Sequence, residues 1–591
     1  MSVTRLKPVD VVVIGVGWTG AIAARELTRA GLSVVGLERG PLRTPGEDFV
    51  LPGIRDELRY AIRQELFQDS SVETVTMRHA RGEAALPMRR FGAFTPGTGT
   101  GGAGSHWNGM HWRYLPYDLN PRRHITQRYG KGAIPAEMTI GDFGIEWDEI
   151  EPYYDRFEKL CGVSGKAGNI GGRVIAGGNP FEGARTSEFP NPPLVRTAAG
   201  DIFAAASEKL GYKPFPLPAS NSSRAYTNAE GATLGACAYC GHCERFGCEV
   251  NAKASPNTTL FPALLADQRF SLRTNSYVRD LVFDRHAKRV TAVRYVDTRS
   301  GEVFEQEAGL VILGGYVFTN TLLMLTSGIG TPYDPATGHG AVGRNYCYQT
   351  GAGVQVFFKD GAFNPFMGAG ALGTNIDEFN GDNFDHAGLG FFGGSTIGVT
   401  SGGGRPIQHR PVPPGTPRWG SAWKQATAQW YNRSFGIGAS GANYAHRENY
   451  LDLDPTYRDA LGHPLLRMTY NFRENDQRLA AHSAEQLTRI AKAMDATIVS
   501  EPALRRGNFH VVPYQSTHNT GGTIMGSDPR GSVVNRHLQS WDAHNLFILG
   551  ASVFPQNTSY NPTGTVGALA YWATDAIIHQ YLKGPGALVA A

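Results

Sequence analysis

The sequence predicts a mixed α/β (α+β) fold: a Rossmann-like dinucleotide-binding domain with a second, sheet-based region. Three observations carry this. Residues 9–40, VDVVVIGVGWTGAIAARELTRAGLSVVGLERG, run in the order strand, glycine-rich turn, helix, strand, acid. Glycine numbers 74 of 591 residues, which suits a chain with many turns and many close backbone approaches to a ligand. The length, with 41% hydrophobic and 18% charged residues, allows a large core and two or more domains.

Each part of the first unit has a physical task. Val11–Ile14 is an apolar run, as a buried parallel strand requires. Gly15 permits a tight turn, Gly17 lets backbone approach a pyrophosphate, and Gly20 lets helix and strand pack closely. Residues 21–30 read as the helix, closed by Gly31. The helix N-terminus favours phosphate through its free N–H groups and its dipole. Residues 32–37 form the second strand. Glu38 ends it, placed to accept hydrogen bonds from ribose hydroxyls, and an acid there favours NAD or FAD over NADP.

The net charge of +4 is small for this length and does not point to nucleic acid or a strongly anionic surface. No window holds eighteen consecutive apolar residues, so no transmembrane helix is expected. The N-terminus enters its first strand without a secretion signal, which predicts a cytoplasmic protein or one carried across a membrane by something else. Cys161 and Cys347 are isolated and read as small buried hydrophobes.

The other four cysteines, Cys237, Cys240, Cys243 and Cys248, fall within GACAYCGHCERFGCEVNAKASP at spacing C-x2-C-x2-C-x4-C. Three chemistries compete. Cysteines three apart rarely reach bridge geometry in two pairs, which weighs against disulfides. Structural zinc usually takes two C-x2-C knuckles separated by a longer loop. C-x2-C-x2-C opens the ferredoxin iron–sulfur run, in which the fourth cysteine serves a different cluster, so Cys248 is either a ligand or spare.

Further segments extend the pattern along the chain: GTGTGGAGSHWNGMHWRYLP (97–116), AGLVILGGYVFTNTLLMLTSGIG (308–330), STHNTGGTIMG (516–526) and NLFILGASVFPQNTSYNPTGTVGALAYWATDAI (545–577). With the N-terminal unit they resemble, in order, the signature blocks of the glucose–methanol–choline (GMC) family of FAD-dependent oxidoreductases. Within that family the features GWTG, GGAGSHWNG, KLCGVSGKAGN, the cysteine stretch and GASVFP resemble the large flavoprotein subunits of bacterial sugar-acid dehydrogenases of the gluconate 2-dehydrogenase type.

The resemblance implies FAD as cofactor and hydride transfer from a hydroxyl-bearing carbon to flavin N5. His518 matches the family's catalytic histidine, although HNTGGT carries one residue more than H-x-x-G-T. A neutral imidazole is a suitable general base for the hydroxyl proton. Asn561, in YNPTGT, stands where the family places a second histidine or an asparagine, and would orient the substrate hydroxyl. His510, His537 and His544 flank this region and read as structural or solvated. In relatives with a similar loop a histidine is bonded to the flavin methyl group, so His106 is a candidate for covalent linkage, against a histidine that only packs beside the ring. Asn108 would lie near N5.

Electrons from a reduced flavin that does not use oxygen must leave singly, and a cluster on Cys237, Cys240, Cys243 and Cys248 would carry them. Both [4Fe–4S] and [3Fe–4S] stay open from spacing, and relatives suggest the latter. The resemblance also implies a small subunit bearing a twin-arginine signal, a cytochrome c subunit as membrane anchor, and a periplasmic location; without such partners the protein would be cytoplasmic.

The expected organisation is a discontinuous FAD domain (1–164, 258–350 and 511–591), an irregular excursion with the cysteine loop (165–257) and a substrate domain (351–510). Residues 474–496 read as an amphipathic helix. The leading function is a dehydrogenase oxidising a secondary alcohol of a sugar acid, gluconate to 2-keto-gluconate in type. Its alternatives are another sugar or glycoside dehydrogenase (glucoside 3-dehydrogenase type), an oxygen-using carbohydrate oxidase, and a non-catalytic flavin-bound electron-transfer subunit.

Overall fold

A computed structural model describes residues 3–49, 66–70, 73–89, 94–404, 409–505, 507–512 and 516–590. Strand β1 (Val3–Ile14) leads into helix α1 (Trp18–Arg29) and strand β2 (Val34–Leu37). Only Val11–Ile14 of β1 is fully buried, which is why the apolar run marked the inner end alone. Helix α1 ends at Gly31, φ +92°, with the N–H of Gly31 on Thr28 O and the N–H of Leu32 on Leu27 O. That pair of bonds is a Schellman closure, and glycine takes the left-handed position without strain.

Strands β3 (Phe270–Arg273), β4 (Ser276–Asp284), β5 (Arg289–Asp297) and β6 (Val303–Leu313) complete the first sheet. Its parallel part runs β3, β2, β1, β6 and the short strand Leu546–Ile548. The antiparallel hairpin β4–β5 attaches to the earlier part of β6. Thus three distant stretches of sequence share one sheet. The helix Thr563–His579 packs between α1 and the helix Trp147–Cys161 on this sheet's flank.

The second sheet is antiparallel. Strands β7 (Thr350–Phe357), β8 (Gly368–Ile376), β9 (Ser395–Gly402) and β10 (Ser434–Gly441) lie in the order β7, β10, β9, β8. The helix Glu474–Ala493 covers one face, burying Leu487, Ile490 and Ala491 against Val354, Val356, Ile397 and Ile437. This helix stops three residues short of the amphipathic pattern.

Segment 165–257 is less irregular than its Gly, Pro, Asn and Ser content suggests. It contains the helix Ala198–Lys209, whose Phe203 and Ala206 enter the second sheet's core, and Phe215–Pro216, which pairs with β8. Thr197 Oγ1 caps the helix by accepting the N–H of Gly200. The hairpin of strands Tyr450–Arg458 and Pro464–Thr469 pairs with Thr76–Arg78 rather than with the second sheet. Among the described residues no helix is long and apolar enough to cross a membrane.

Candidate active site

A cleft follows the carboxyl ends of the parallel strands. Gly15, Gly17, Glu38, Gly101–Gly104, Gly314–Tyr316 and Thr563 line it. Position along this edge is where open α/β sheets bind nucleotides. A Cβ at Gly20 would lie 2.0 Å from Gly15 O, so that glycine is demanded by helix–turn packing. A Cβ at Gly17 would meet only Gly101 O, at 3.7 Å, so the protein itself does not forbid a side chain there. What Gly17 keeps clear is the cleft.

The buried Glu38 carboxylate accepts the N–H of Val16 at 3.1 Å and of Gly40 at 3.1 Å, one on each oxygen. Each oxygen keeps a further acceptor position, which leaves the ribose role available. The indole N–H of Trp18, the first residue of α1, is buried on this cleft without a hydrogen-bond partner. An unpaired buried donor at a helix N-terminus, beside a glycine cradle, fits a bound dinucleotide phosphate. These residues accommodate FAD.

A second chamber of about 660 Å³ opens from the cleft. This lies within the usual span of small-molecule sites, ~300–1,000 Å³. Trp107, Thr517 and Thr563 line both spaces. The chamber gathers His106, Asn108, His518 and Asn561, four of the residues singled out by sequence, under the small residues Thr350–Gly353 of β7.

His518 and Asn561 meet directly, with Asn561 Nδ2 2.9 Å from His518 Nε2. The other ring nitrogen is held by Gln349, whose Oε1 lies 2.6 Å from Nδ1. Gln349 Nε2 donates to the carbonyls of Thr558 (2.9 Å) and Tyr560 (3.0 Å), so its orientation is fixed and Oε1 must accept. The Nδ1 proton is thereby assigned, and the Nε2 lone pair faces Asn561. Burial lowers the His518 pKa to about 4, which keeps the ring neutral at ordinary pH. The site therefore holds an oriented neutral base beside a hydrogen-bonding amide.

Gln349 carries no motif signal. It immediately precedes β7, and only the fold brings it to His518, 169 positions along. His510 is exposed on the chamber wall, as the solvated half of its sequence reading allows. His537 stacks on Trp572 and His544 donates its N–H to Lys288 O, both outside the chamber.

His106 is buried, with its pKa lowered to about 3, first by burial and then by the Lys253 charge. Its Nε2 has no hydrogen-bond partner. Asn108 Oδ1 accepts the N–H of Met110 at 3.0 Å. The cysteine loop is fastened to this region: Arg245 donates its N–H to His106 O at 2.6 Å. The Lys253 ammonium donates to the carbonyls of Trp107 (2.6 Å), Cys243 (2.7 Å) and Phe246 (2.6 Å).

The cysteines themselves are unevenly placed. Cys240 is exposed, Cys237 and Cys248 are intermediate, and Cys243 is buried. Burial, then the neighbouring thiols, push the Cys237 thiol up to about 12. Asn221 donates to Cys243 Sγ at 3.4 Å and the Lys253 N–H to Cys248 Sγ at 3.3 Å. Among the described residues no group of three or more His, Cys, Asp or Glu side chains stands ready to hold a metal ion. The four thiols lie near enough to act on one another, but among the described residues they do not form a group that could hold a metal ion, so the expected ligand set of Cys237, Cys240, Cys243 and Cys248 is not supported here.

Comparison with known proteins agrees with this geometry. Two GMC oxidoreductase family models match, over residues 139–350 and 445–570. The chain is 49% identical to the gluconate 2-dehydrogenase flavoprotein of Pantoea cypripedii, over 99% of this chain and 96% of that one. It is 28% identical to the fructose dehydrogenase large subunit of Gluconobacter japonicus, over 97% and 98% of the two chains. In fold it is similar to pyridoxine 4-oxidase from Mesorbium loti, with a TM-score of 0.56 at 15% identity, covering 97% and 99% of the two chains. A nucleotide cleft opening onto an oriented His518–Asn561 pair, joined to these matches, places the chain in the GMC oxidoreductase family of FAD-dependent enzymes acting on CH–OH donors.

Proposed function

We propose that this protein is the catalytic flavoprotein of a dehydrogenase that oxidises a secondary alcohol of a sugar acid, gluconate to 2-keto-gluconate in type. The observation that carries the chemistry is the Gln349–His518–Asn561 chain at the meeting of cleft and chamber. FAD, when bound, supplies the hydride acceptor. His518 Nε2 takes the hydroxyl proton, because Gln349 reserves Nδ1 as a donor. Asn561 holds the hydroxyl oxygen in line by giving up its bond to Nε2. Residues of β7 and β10 form part of the chamber wall in which the substrate would sit. The substrate class rests on the 49% identical Pantoea relative. Dye-coupled turnover of D-gluconate with product analysis tests it: a 2-keto acid supports the reading, and oxidation at another carbon overturns it.

A neutral sugar or glycoside as substrate is the second reading, favoured by the fructose dehydrogenase relative and by a C-glycoside 3-oxidase of Arthrobacter globiformis, 32% identical over 23% of this chain. An oxygen-using oxidase on the same fold would reveal itself by rapid peroxide formation.

Covalent attachment of FAD through His106 draws support from the unpartnered, buried Nε2. The proposed electron exit is through partner subunits, a cytochrome c anchor and a small subunit with a twin-arginine signal, in the periplasm. The iron–sulfur reading, [3Fe–4S] or [4Fe–4S], rests on the C-x2-C-x2-C-x4-C spacing and on the resemblance to sugar dehydrogenases, with no metal-holding group formed among the described residues. Iron and acid-labile sulfide in anaerobically purified protein decide it: three or four irons per chain support a cluster, and none removes it.

A further inference from the structure

A sugar acid differs from a sugar by its carboxylate, and the chamber wall offers two arginines to receive it, Arg245 and Arg505. Arg505 Nη1 donates to the backbone carbonyl of Gln349 at 2.9 Å, so it supports the residue that orients His518. Arg245 is placed differently. It sits in the cysteine loop with φ +69°, a left-handed conformation that residues other than Gly, Asn and Asp seldom adopt. Its N–H is tied to His106 O at 2.6 Å, so the strained backbone is anchored to the flavin-side loop. Among the described residues its one ion pair is a long contact, 3.9 Å, to the adjacent Glu244, a side chain 64% exposed. Glu244 is also the sole acid among the described residues of the chamber wall. A guanidinium so loosely paired keeps the paired N–H donors that a carboxylate takes bidentately.

We infer that Arg245 recognises the carboxylate of the substrate and sets the preference for sugar acids over neutral sugars. This rests on the sugar-acid reading above. The cysteine loop then contributes to the substrate chamber whether or not it holds iron.

The test compares D-gluconate with D-gluconamide, its neutral isostere, in wild type, Arg245→Asn and Arg245→Lys. Asparagine tolerates the left-handed backbone, so Arg245→Asn removes the charge while keeping the loop path. The expected result is a KM for gluconate raised about 30- to 100-fold in Arg245→Asn and about 10-fold in Arg245→Lys, with kcat within about 3-fold. KM for gluconamide stays within about 2-fold, and flavin content is unchanged. Equal rises for both compounds, or no rise for gluconate, overturn the assignment to Arg245 while leaving the sugar-acid reading intact. A wild-type enzyme that turns over neutral glycosides and never gluconate overturns the sugar-acid reading and the assignment together.

Discussion

Gln349 accepts a hydrogen bond from His518 Nδ1 at 2.6 Å, while its own amide nitrogen is committed to the carbonyls of Thr558 and Tyr560. Residues 349, 518 and 558–561, distant in sequence, thus form one arrangement that decides which imidazole nitrogen is basic. Arg505 extends it by holding the Gln349 carbonyl. Replacing Gln349 by Met removes the acceptor and frees the ring to change tautomer. The expected outcome is a kcat for flavin reduction reduced about 10- to 100-fold with KM little altered. Gln349→Glu places a negative charge beside the ring and raises the His518 pKa, so the acid limb of its rate profile moves to higher pH than in wild type.

The pH profile follows from burial. The His518 pKa is lowered to about 4, so the base is already in its working form at neutral pH. Falling pH protonates Nε2 and removes the acceptor for the substrate proton. The profile of kcat/KM should be flat from about pH 8 to pH 5 and fall below that, as steady-state rates in overlapping buffers would register. A limb near the ordinary histidine pKa of about 6.5 would mean that the ring is not held in this desolvated setting.

Gly17 and Gly20 separate ligand demand from folding demand. In Gly20→Ala the new methyl collides with Gly15 O, and the expected cost is about 3 kcal/mol of stability with loss of flavin. In Gly17→Ala nothing in the protein comes closer than 3.7 Å, so the flavin-free protein should melt within a few degrees of wild type while FAD incorporation falls. Thermal melts and flavin absorbance on the two variants distinguish these cases.

His106→Ala addresses the mode of flavin attachment. Wild-type protein precipitated with acid should keep its yellow colour in the pellet, and the variant should release flavin to the supernatant. Free flavin from wild type would assign the buried imidazole a packing role beside Phe67, its edge-to-face neighbour.

Much of this was legible in sequence where function requires a particular local geometry. The first βαβ unit, Gly15, Gly17, Gly20 and Glu38, could be read because turn, helix start and strand end lie within thirty residues of one another. His518 and Asn561 came from motif blocks, and the structure brings them to 2.9 Å. Gln349 and Arg245 could not be read in this way. Their roles depend on how the chain enters β7 and on a loop crossing to His106, neither of which leaves a periodic or spaced signal. The helix Ala198–Lys209 was hidden by the turn-rich stretches around it, although its Thr197 cap lies in plain view. The cysteine stretch shows the converse: a conspicuous spacing with no metal-holding group formed from it among the described residues.

The most direct measurement is anaerobic mixing of the purified, flavin-loaded protein with D-gluconate, followed at the flavin absorbance band in wild type and in His518→Gln. The expected result is rapid bleaching in wild type and a rate constant reduced about 10²- to 10⁴-fold in the variant, with flavin content unchanged. Bleaching at the same rate in both proteins would contradict the assignment of His518 as the base.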